Sequence, residues 1–450
     1  MRRENYSLSL QQQQVYDAIC RGENVALFGD AGTGKSIIVK KFMRDCASFR
    51  NIVCLAPTGL AAKNIDEAQT IHSFFGIEPG TVGVCPELNQ YLKVTLPYVA
   101  TIIIDEISMV RSDLFDIIEQ MLSAVPLLGQ RKHSAFGGRQ LVVVGDFKQL
   151  PPVVSDAEIE EYLDYKYQGE YAFMSSAWQL AEFKNFYLSK SFRQNSHEYY
   201  RLLRSVRNNS DTFAVLGTLN SRVVNGELDI DHLVNPGTLA LCSTRRLASE
   251  TNKTLLANLP NPSVPYSAII SGCFPVNEYP AEQELLIKVG AKVMLIANKR
   301  GTGAWTASGF EYVNGEMGVV VSVNPHQISV QLVSGCIVNV TLNTWFSYQY
   351  ILVKENGVLR IRAQKVGSFR QFPVAIAYAS TIHKAQGQTL GSIYLKLGNG
   401  CFAPGQLYTA LSRIRNLECL FLDNAIKPTD MLPDPVVDFF YNSIDYEFVD

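Results

Sequence analysis

The sequence predicts an α/β protein of two domains, each built on a parallel sheet, with a small insertion in the first and an antiparallel β insertion in the second. Three observations predict it. Apolar runs early in the chain end on polar residues, the pattern of parallel strands covered on both faces. Similar runs recur from about residue 183 onward, and between them residues 289–370 read as short alternating segments separated by turns. A chain of 450 residues also exceeds one ordinary core.

The elements follow in order. "VALF" at 25–28, a Gly-rich turn and "SIIVKKFMRDC" read as strand, loop and helix. "NIVCLAP" (51–57), "ATIIIDE" (100–106) and "QLVVVGD" (140–146) read as further strands, and 68–98, with "HSFFG" and few periodic runs, as a small insertion. The second set comprises "FKNFYLSKSFRQ" (183–194), "GTLALCST" (237–244), "QFPVAIAYASTIHKAQGQT" (371–389) and "LECLFLDNA" (417–425). In such sheets ligands gather where the strands end.

Composition excludes several classes. With 47% hydrophobic and 18% charged residues, and apolar runs far short of a membrane span, the chain reads as a soluble globular protein. The start "MRRENYSLSLQQQQVYDAIC" has no apolar block after its arginines, so a secretory signal is not expected and a cytoplasmic location is. Nine scattered cysteines without a CxxC pair offer no ligand set for zinc or an iron-sulfur cluster. A net charge of -2 gives no bulk electrostatic argument for nucleic acid, but a local positive groove or stacking needs none.

"GDAGTGKS", Gly29 to Ser36, has the phosphate-loop spacing and lies between a strand and a helix. Its backbone N–H groups suit phosphates, Lys35 the β and γ phosphates, and Ser36 magnesium. "IIIDE" ends in Asp105, suited to hold magnesium, and Glu106, suited to orient or deprotonate water. "LVVVGDFKQLPPV" (141–153) places Asp146 near the γ-phosphate and lets Gln149 touch it or its water, with Pro151 and Pro152 stiffening the exit. Arg193 in "SFRQ" and Arg413 in "YTALSRIRN" are candidates for the positive charge that phosphoryl transfer needs, each weighed against an ordinary ion pair. Gln12 is a candidate adenine reader among four adjacent glutamines.

Taken with "LSLQQ", "APTGLAA", "TIHSFFG", "VMLIAN", "YVNGEMGVV" and "YTALSRIRNL", these motifs resemble those of superfamily one helicases, specifically the PIF-type branch related to RecD, over residues 8–420. The resemblance implies two RecA-like motor domains, residues 1–185 and 186–295 with 371–450. It also implies a small wedge at 68–98 in the first and an SH3-like barrel at 296–370 in the second. It implies ATP and Mg2+ as cofactors, 5′ to 3′ movement on single-stranded DNA, and unwinding at single-strand/duplex junctions, with G-quadruplexes as further substrates. Nucleotide contacts fall by resemblance on Gln12, Gly29, Ala31, Gly32, Thr33, Gly34, Lys35, Ser36, Asp146 and Gly387, with Gln149 sensing the γ-phosphate and Arg193 and Arg413 as fingers. DNA contacts fall on Pro57, Thr58, Gly59, His72, Ser73, Phe74, Thr381, His383 and Lys384. Thr58 and Ser73 suit phosphate oxygens, and His72, Phe74, Phe75 and His383 offer flat rings, Phe75 equally suiting core packing. A monomer without the long accessory tails of some relatives is expected. Two alternatives stay open: a translocase with little unwinding, and an ATP-gated binding switch.

Overall fold

The computed structural model describes residues 8–62, 65, 68–78, 81–130, 134–154, 157–192, 196–224, 234–235, 237–300, 310–355 and 358–447. The chain divides into two units, residues 1–193, 348–364 and 434–450, and residues 194–347 and 365–433. Among the described residues no helix is long and apolar enough to cross a membrane.

In the first unit six strands form one parallel sheet: β1 (Val25–Gly29), β2 (Ile52–Ala56), β3 (Gln69–Thr70), β4 (Thr101–Ile104), β5 (Gln140–Val144) and β6 (Lys184–Leu188), in the order β3-β2-β4-β5-β1-β6. Because successive side chains point to opposite faces, each apolar run feeds two cores. Ala26, Phe28, Ile102, Ile104, Leu141 and Val143 enter one, and Val25, Leu27, Ile103, Val142 and Val144 the other. That is why these strands read as continuous rather than alternating apolar runs. Helix α1 (Leu10–Cys20) starts at a capping box between Ser9 and Gln12, and α2 (Lys35–Cys46) at Gly34.

Three expectations about this unit change. The segment 183–194, assigned to the second domain, supplies β6, which pairs with β1 over five residues from Val25↔Lys184 to Gly29↔Leu188. Residues 434–450, also assigned there, belong to the first unit. The C-terminal helix Pro435–Ser443 buries Val437 and Phe440 in its core, Phe440 stacking on Phe173 at 4.1 Å. Finally, within 68–98 β3 extends the sheet, and the described Ile71, Phe74, Phe75, Ile77, Leu92 and Leu96 join the main core.

The second unit has a parallel sheet in the order β20-β7-β21-β22, built from β7 (Thr238–Cys242), β20 (Ala379–Thr381), β21 (Ser392–Lys396) and β22 (Leu420–Leu422). Strand β21, "SIYLK", was not anticipated. The antiparallel part comprises β8 (Val264–Ser267) with β10 (Glu284–Ile287), β12 (Lys299–Arg300) with β13 (Phe310–Tyr312), and β9 (Ile269–Gly272) with the end of β18 (Val358–Gln371), which follows β17 (Asn343–Glu355) in the same sheet; residues 348–364 of these two strands are assigned to the first unit. It also includes a five-stranded sheet, β16 (Ile337–Val340), β15 (Gln327–Leu332), β14 (Met317–Asn324), β11 (Lys292–Leu295) and β19 (Val374–Ile376). Its core draws on Leu285, Ile287, Val293, Val330 and Val374, so this β region reaches beyond the 296–370 expected on both sides.

Candidate functional site

The phosphate loop is shaped by glycine. Gly29, Gly32 and Gly34 have φ of 153°, 81° and 83°, conformations that side chains disfavour. A Cβ on Gly29 would also lie 2.6 Å from the Leu188 carbonyl oxygen, and one on Gly34 would lie 2.5 Å from Gln12 Nε2. Neighbouring segments pin the loop. Gln12 Nε2 donates to the Thr33 carbonyl at 3.0 Å while its Oε1 accepts the Ser9 N–H, and Thr33 Oγ1 donates to the Asp30 carbonyl at 2.9 Å. After β6, Ser191 Oγ donates to the Ala31 carbonyl at 3.2 Å and the Phe192 N–H to the Gly32 carbonyl at 2.9 Å. Arg193 lies outside the described residues, next to this pinned pair.

Lys35 Nζ donates to the Gly29 and Asp30 carbonyls at 2.6 and 3.1 Å. Burial pulls its ammonium below the ordinary lysine value, while Asp146, Glu106, Asp30 and Asp105 hold it up. Ser36 occupies the first turn of α2. At the end of β4, burial and the neighbouring Glu106 push the Asp105 carboxyl up to about 7, against a 3.0 Å hydrogen bond from the Glu106 N–H and the charge of Lys35. Glu106 itself is left-handed, φ 53° and ψ 47°, a strain of order 1–3 kcal/mol of the kind that gathers at functional turns. This turn and the exit of β5 approach so closely that a Cβ on Gly145 would lie 2.9 Å from the Ile107 side chain.

The oxygen donors of Ser36 and Asp105 fit a hard divalent cation. Among the described residues no group of three or more His, Cys, Asp or Glu is placed to hold a metal ion.

Past β5, Asp146 is buried and its Oδ1 accepts the Lys148 N–H at 3.1 Å and the Tyr441 hydroxyl at 3.2 Å. The Phe147 N–H donates to that same hydroxyl at 3.0 Å, the Gln149 N–H to the Asp146 carbonyl at 2.9 Å, and Lys148 pairs with Asp438. Gln149, Pro151 and Pro152 are buried. Sequence reasoning missed Tyr441 and Asp438. The capped pattern "DPVVDFFYNS" signals a helix, but nothing local says what it docks on.

At β2 and β3 the same sheet edge carries the DNA candidates. After β2, Pro57, Thr58 and Gly59 lead into α3 (Gly59–Ala62), where Thr58 Oγ1 accepts the Ala61 N–H at 3.2 Å. After β3, Thr70 caps α4 (Ile71–Phe75) by accepting the Ser73 N–H at 3.1 Å. Helical spacing then splits the motif. Ser73 is exposed and His72 half-buried, whereas Phe74 and Phe75 are in the core, ring centroids 4.9 Å apart. Phe74 is therefore corrected: its ring is packing and offers no face to a base. Burial, with Arg111 nearby, lowers the His72 imidazole, Asp113 opposing.

The second unit repeats the device. Thr381 ends β20 and accepts the Lys384 N–H at 3.2 Å, Ile382 is buried, Lys384 is exposed, and burial with Arg245 lowers His383. "TIHS" and "TIHK" are one turn used twice. Gly387 is exposed with φ 79°. Arg413 is buried, its Nε donating to the Thr409 carbonyl at 2.8 Å, Nη2 to Ser412 Oγ at 2.6 Å and Nη1 to the Gln388 carbonyl at 3.4 Å.

A phosphate loop, an acidic strand end and two parallel-sheet units with polar loops at the strand ends define a nucleotide-binding α/β protein of two units. The family model of the PIF1-like helicases matches residues 7–220. The ATP-dependent DNA helicase Pif1 of Bdellovibrio bacteriovorus is similar at 31% identity, covering 97% of this chain and 92% of that protein; the vertebrate relatives are spanned over 60 to 65% of their length. Bacteroides sp Pif1 in complex with ADP-AlF4 superposes with a TM-score of 0.83 at 30% identity, covering 98% of this chain and 97% of that one. Bacteroides Pif1 bound to ssDNA superposes with 0.68, also at 30% identity and the same coverage. The chain belongs to the PIF1-like helicase family.

Proposed function

We propose that this ATP-dependent DNA helicase, which translocates on single-stranded DNA and unwinds duplex, moves 5′ to 3′ and takes G-quadruplexes among its substrates. It works in the cytoplasm. The direction and the quadruplex substrate rest on the resemblance to the PIF-type helicases; the observation that supports coupling of ATP to the strand is the order of loops along one sheet edge. In β3-β2-β4-β5-β1-β6 the nucleotide candidates leave β4, β5 and β1, with Ser191 and Phe192 of the post-β6 segment bonded to the phosphate loop, and the strand candidates leave the neighbouring β2 and β3. One rigid sheet then holds both ligands.

In this reading Lys35 leaves the loop carbonyls for the β and γ phosphates, and the backbone N–H groups of residues 31–36 cradle them. Ser36 and Asp105 hold magnesium, which when bound neutralises phosphate charge. Glu106 takes a proton from the attacking water, and Gln149 contacts the γ-phosphate or that water. Gln12 keeps one amide N–H for adenine beside its bond to Thr33. Arg193 and Arg413 supply the positive charge that develops its value in the transition state. Thr58, His72, Ser73, Thr381, His383 and Lys384 hold the strand through sugar-phosphate contacts, and the insertion at 68–98 forms the wedge at the junction.

The test is Lys35→Ala beside Glu106→Gln, read as DNA-stimulated ATP turnover and as single-strand affinity. Both variants lose turnover by at least about a hundredfold and keep the affinity within about threefold. Turnover surviving in either variant takes down the role of that residue.

A further inference from the structure

The C-terminal helix Pro435–Ser443 spends polar groups on the loop after β5 that its own docking does not require. Val437 and Phe440 already bury its apolar face, Phe440 against Phe173, Phe28 and Phe147. The Tyr441 hydroxyl, by contrast, makes two bonds to one turn. It accepts the Phe147 N–H at 3.0 Å and donates to Asp146 Oδ1 at 3.2 Å, the same oxygen that accepts the Lys148 N–H at 3.1 Å. With the Gln149 N–H on the Asp146 carbonyl, every backbone donor from 147 to 149 is fixed. A second line of contact runs from the same ring to the phosphate loop. Tyr441 meets Phe28, the residue before Gly29, edge-on at 5.5 Å, and Tyr187 at 6.2 Å, and the Tyr187 hydroxyl is bonded to Asp30.

We propose that Tyr441 is a positioning residue for ATP hydrolysis: its hydroxyl sets the Asp146–Gln149 turn at a fixed height above the phosphate loop, so that Gln149 meets the γ-phosphate. The C-terminal helix is thereby part of the ATPase engine rather than a surface strut. This rests on the reading of Gln149 as a γ-phosphate contact.

Two properties make a hydroxyl suited to this. It is donor and acceptor at once, so it joins a carboxylate to an N–H that would repel a second donor. Phe147 is buried, so its N–H loses its acceptor when the oxygen is removed, while Asp146 keeps the Lys148 N–H, and the turn shifts to satisfy the freed donor. A ring without the oxygen keeps the packing and loses only the register of the turn. A shift of even 1 Å at a contact made in the transition state costs turnover more than ground-state binding.

The experiment is steady-state ATP hydrolysis of Tyr441→Phe with saturating oligothymidylate, alongside thermal unfolding and single-strand affinity. The expected result is kcat down at least about fivefold, with KM for ATP and DNA affinity near those of the parent protein and the melting midpoint of the first unit lowered by about 2–12 °C, leaving it folded at the assay temperature. Asp438→Asn serves as control, since it breaks the Lys148 pair that also anchors the helix and leaves the hydroxyl in place; its kcat stays within about twofold. An unchanged kcat in Tyr441→Phe, or an equal loss in Asp438→Asn, overturns the proposal, the latter because docking alone would then explain it. Gln149→Ala separates the layers. If it lowers kcat while Tyr441→Phe does not, the inference fails and the γ-phosphate reading stands; if Gln149→Ala leaves kcat unchanged, both fall.

Discussion

Replacing Phe74 by alanine separates packing from DNA contact within one four-residue turn. The ring is 2% exposed, lies edge-on to Phe75 at 4.9 Å, and belongs to the larger core of the first unit. Truncating a buried phenylalanine to alanine removes apolar burial and leaves a cavity, together about 3–5 kcal/mol. For a unit of this size each kcal/mol shifts the midpoint by about 2–4 °C, so the first unit should melt about 6–20 °C lower. His72→Ala and Ser73→Ala, on the outward face, should instead keep the midpoint within about 2 °C and weaken single-strand binding several-fold. Calorimetry of the three variants with fluorescence anisotropy on labelled oligonucleotide provides the comparison, and the transitions are compared per unit because a two-unit chain need not melt in one step. A Phe74→Ala protein that melts like its parent but has lost DNA would refute the reasoning, since the ring would then be spent on the strand.

Two pH effects follow from burial. Lys292 is 1% exposed, donates to the Thr238 carbonyl, and burial brings its ammonium down to about 7 from an unfolded 10.5. Between those values the unfolded chain binds the extra proton, so the second unit gains stability as pH rises from about 7 to 10.5, by at most about 5 kcal/mol. Lys292→Met should raise the pH 7 midpoint of that unit and flatten the rise; a variant less stable at pH 7 with the slope intact contradicts this. His72 and His383 are both lowered by burial and so are neutral above their ordinary 6.5. Single-strand affinity should be flat from pH 8 to 7 and strengthen only on the acid side of the ordinary histidine value of 6.5, as imidazolium charge meets phosphate. The strengthening should vanish in a His72→Gln, His383→Gln double variant; its persistence there would assign the effect elsewhere.

What the sequence revealed was what is local. The strands that feed both cores, the glycines of the phosphate loop and the acids at the end of β4 each announce themselves within a few residues, because apolar runs and left-handed turns are short-range constraints. Sheet membership is not short-range. "KNFYL" reads as a strand, but only its pairing with Val25–Gly29 assigns it to the first unit. The same holds for Pro435–Ser443, readable as a helix from its capping aspartate and apolar spacing, whose partners Phe28, Phe147 and Phe173 lie about 260 to 410 residues upstream. Phe74 was legible and misread. At i, i+3 and i+4 Ile71, Phe74 and Phe75 share one face of α4, which alone argues for packing.

Directed unwinding is the central claim, and matched duplexes bearing a single 5′ or 3′ tail test it most directly, with ATP and with the Lys35→Ala protein as control. The account expects opening of the 5′-tailed duplex alone, and none by the variant. Opening of the 3′-tailed duplex alone would contradict the direction, and opening of either by Lys35→Ala would contradict the site.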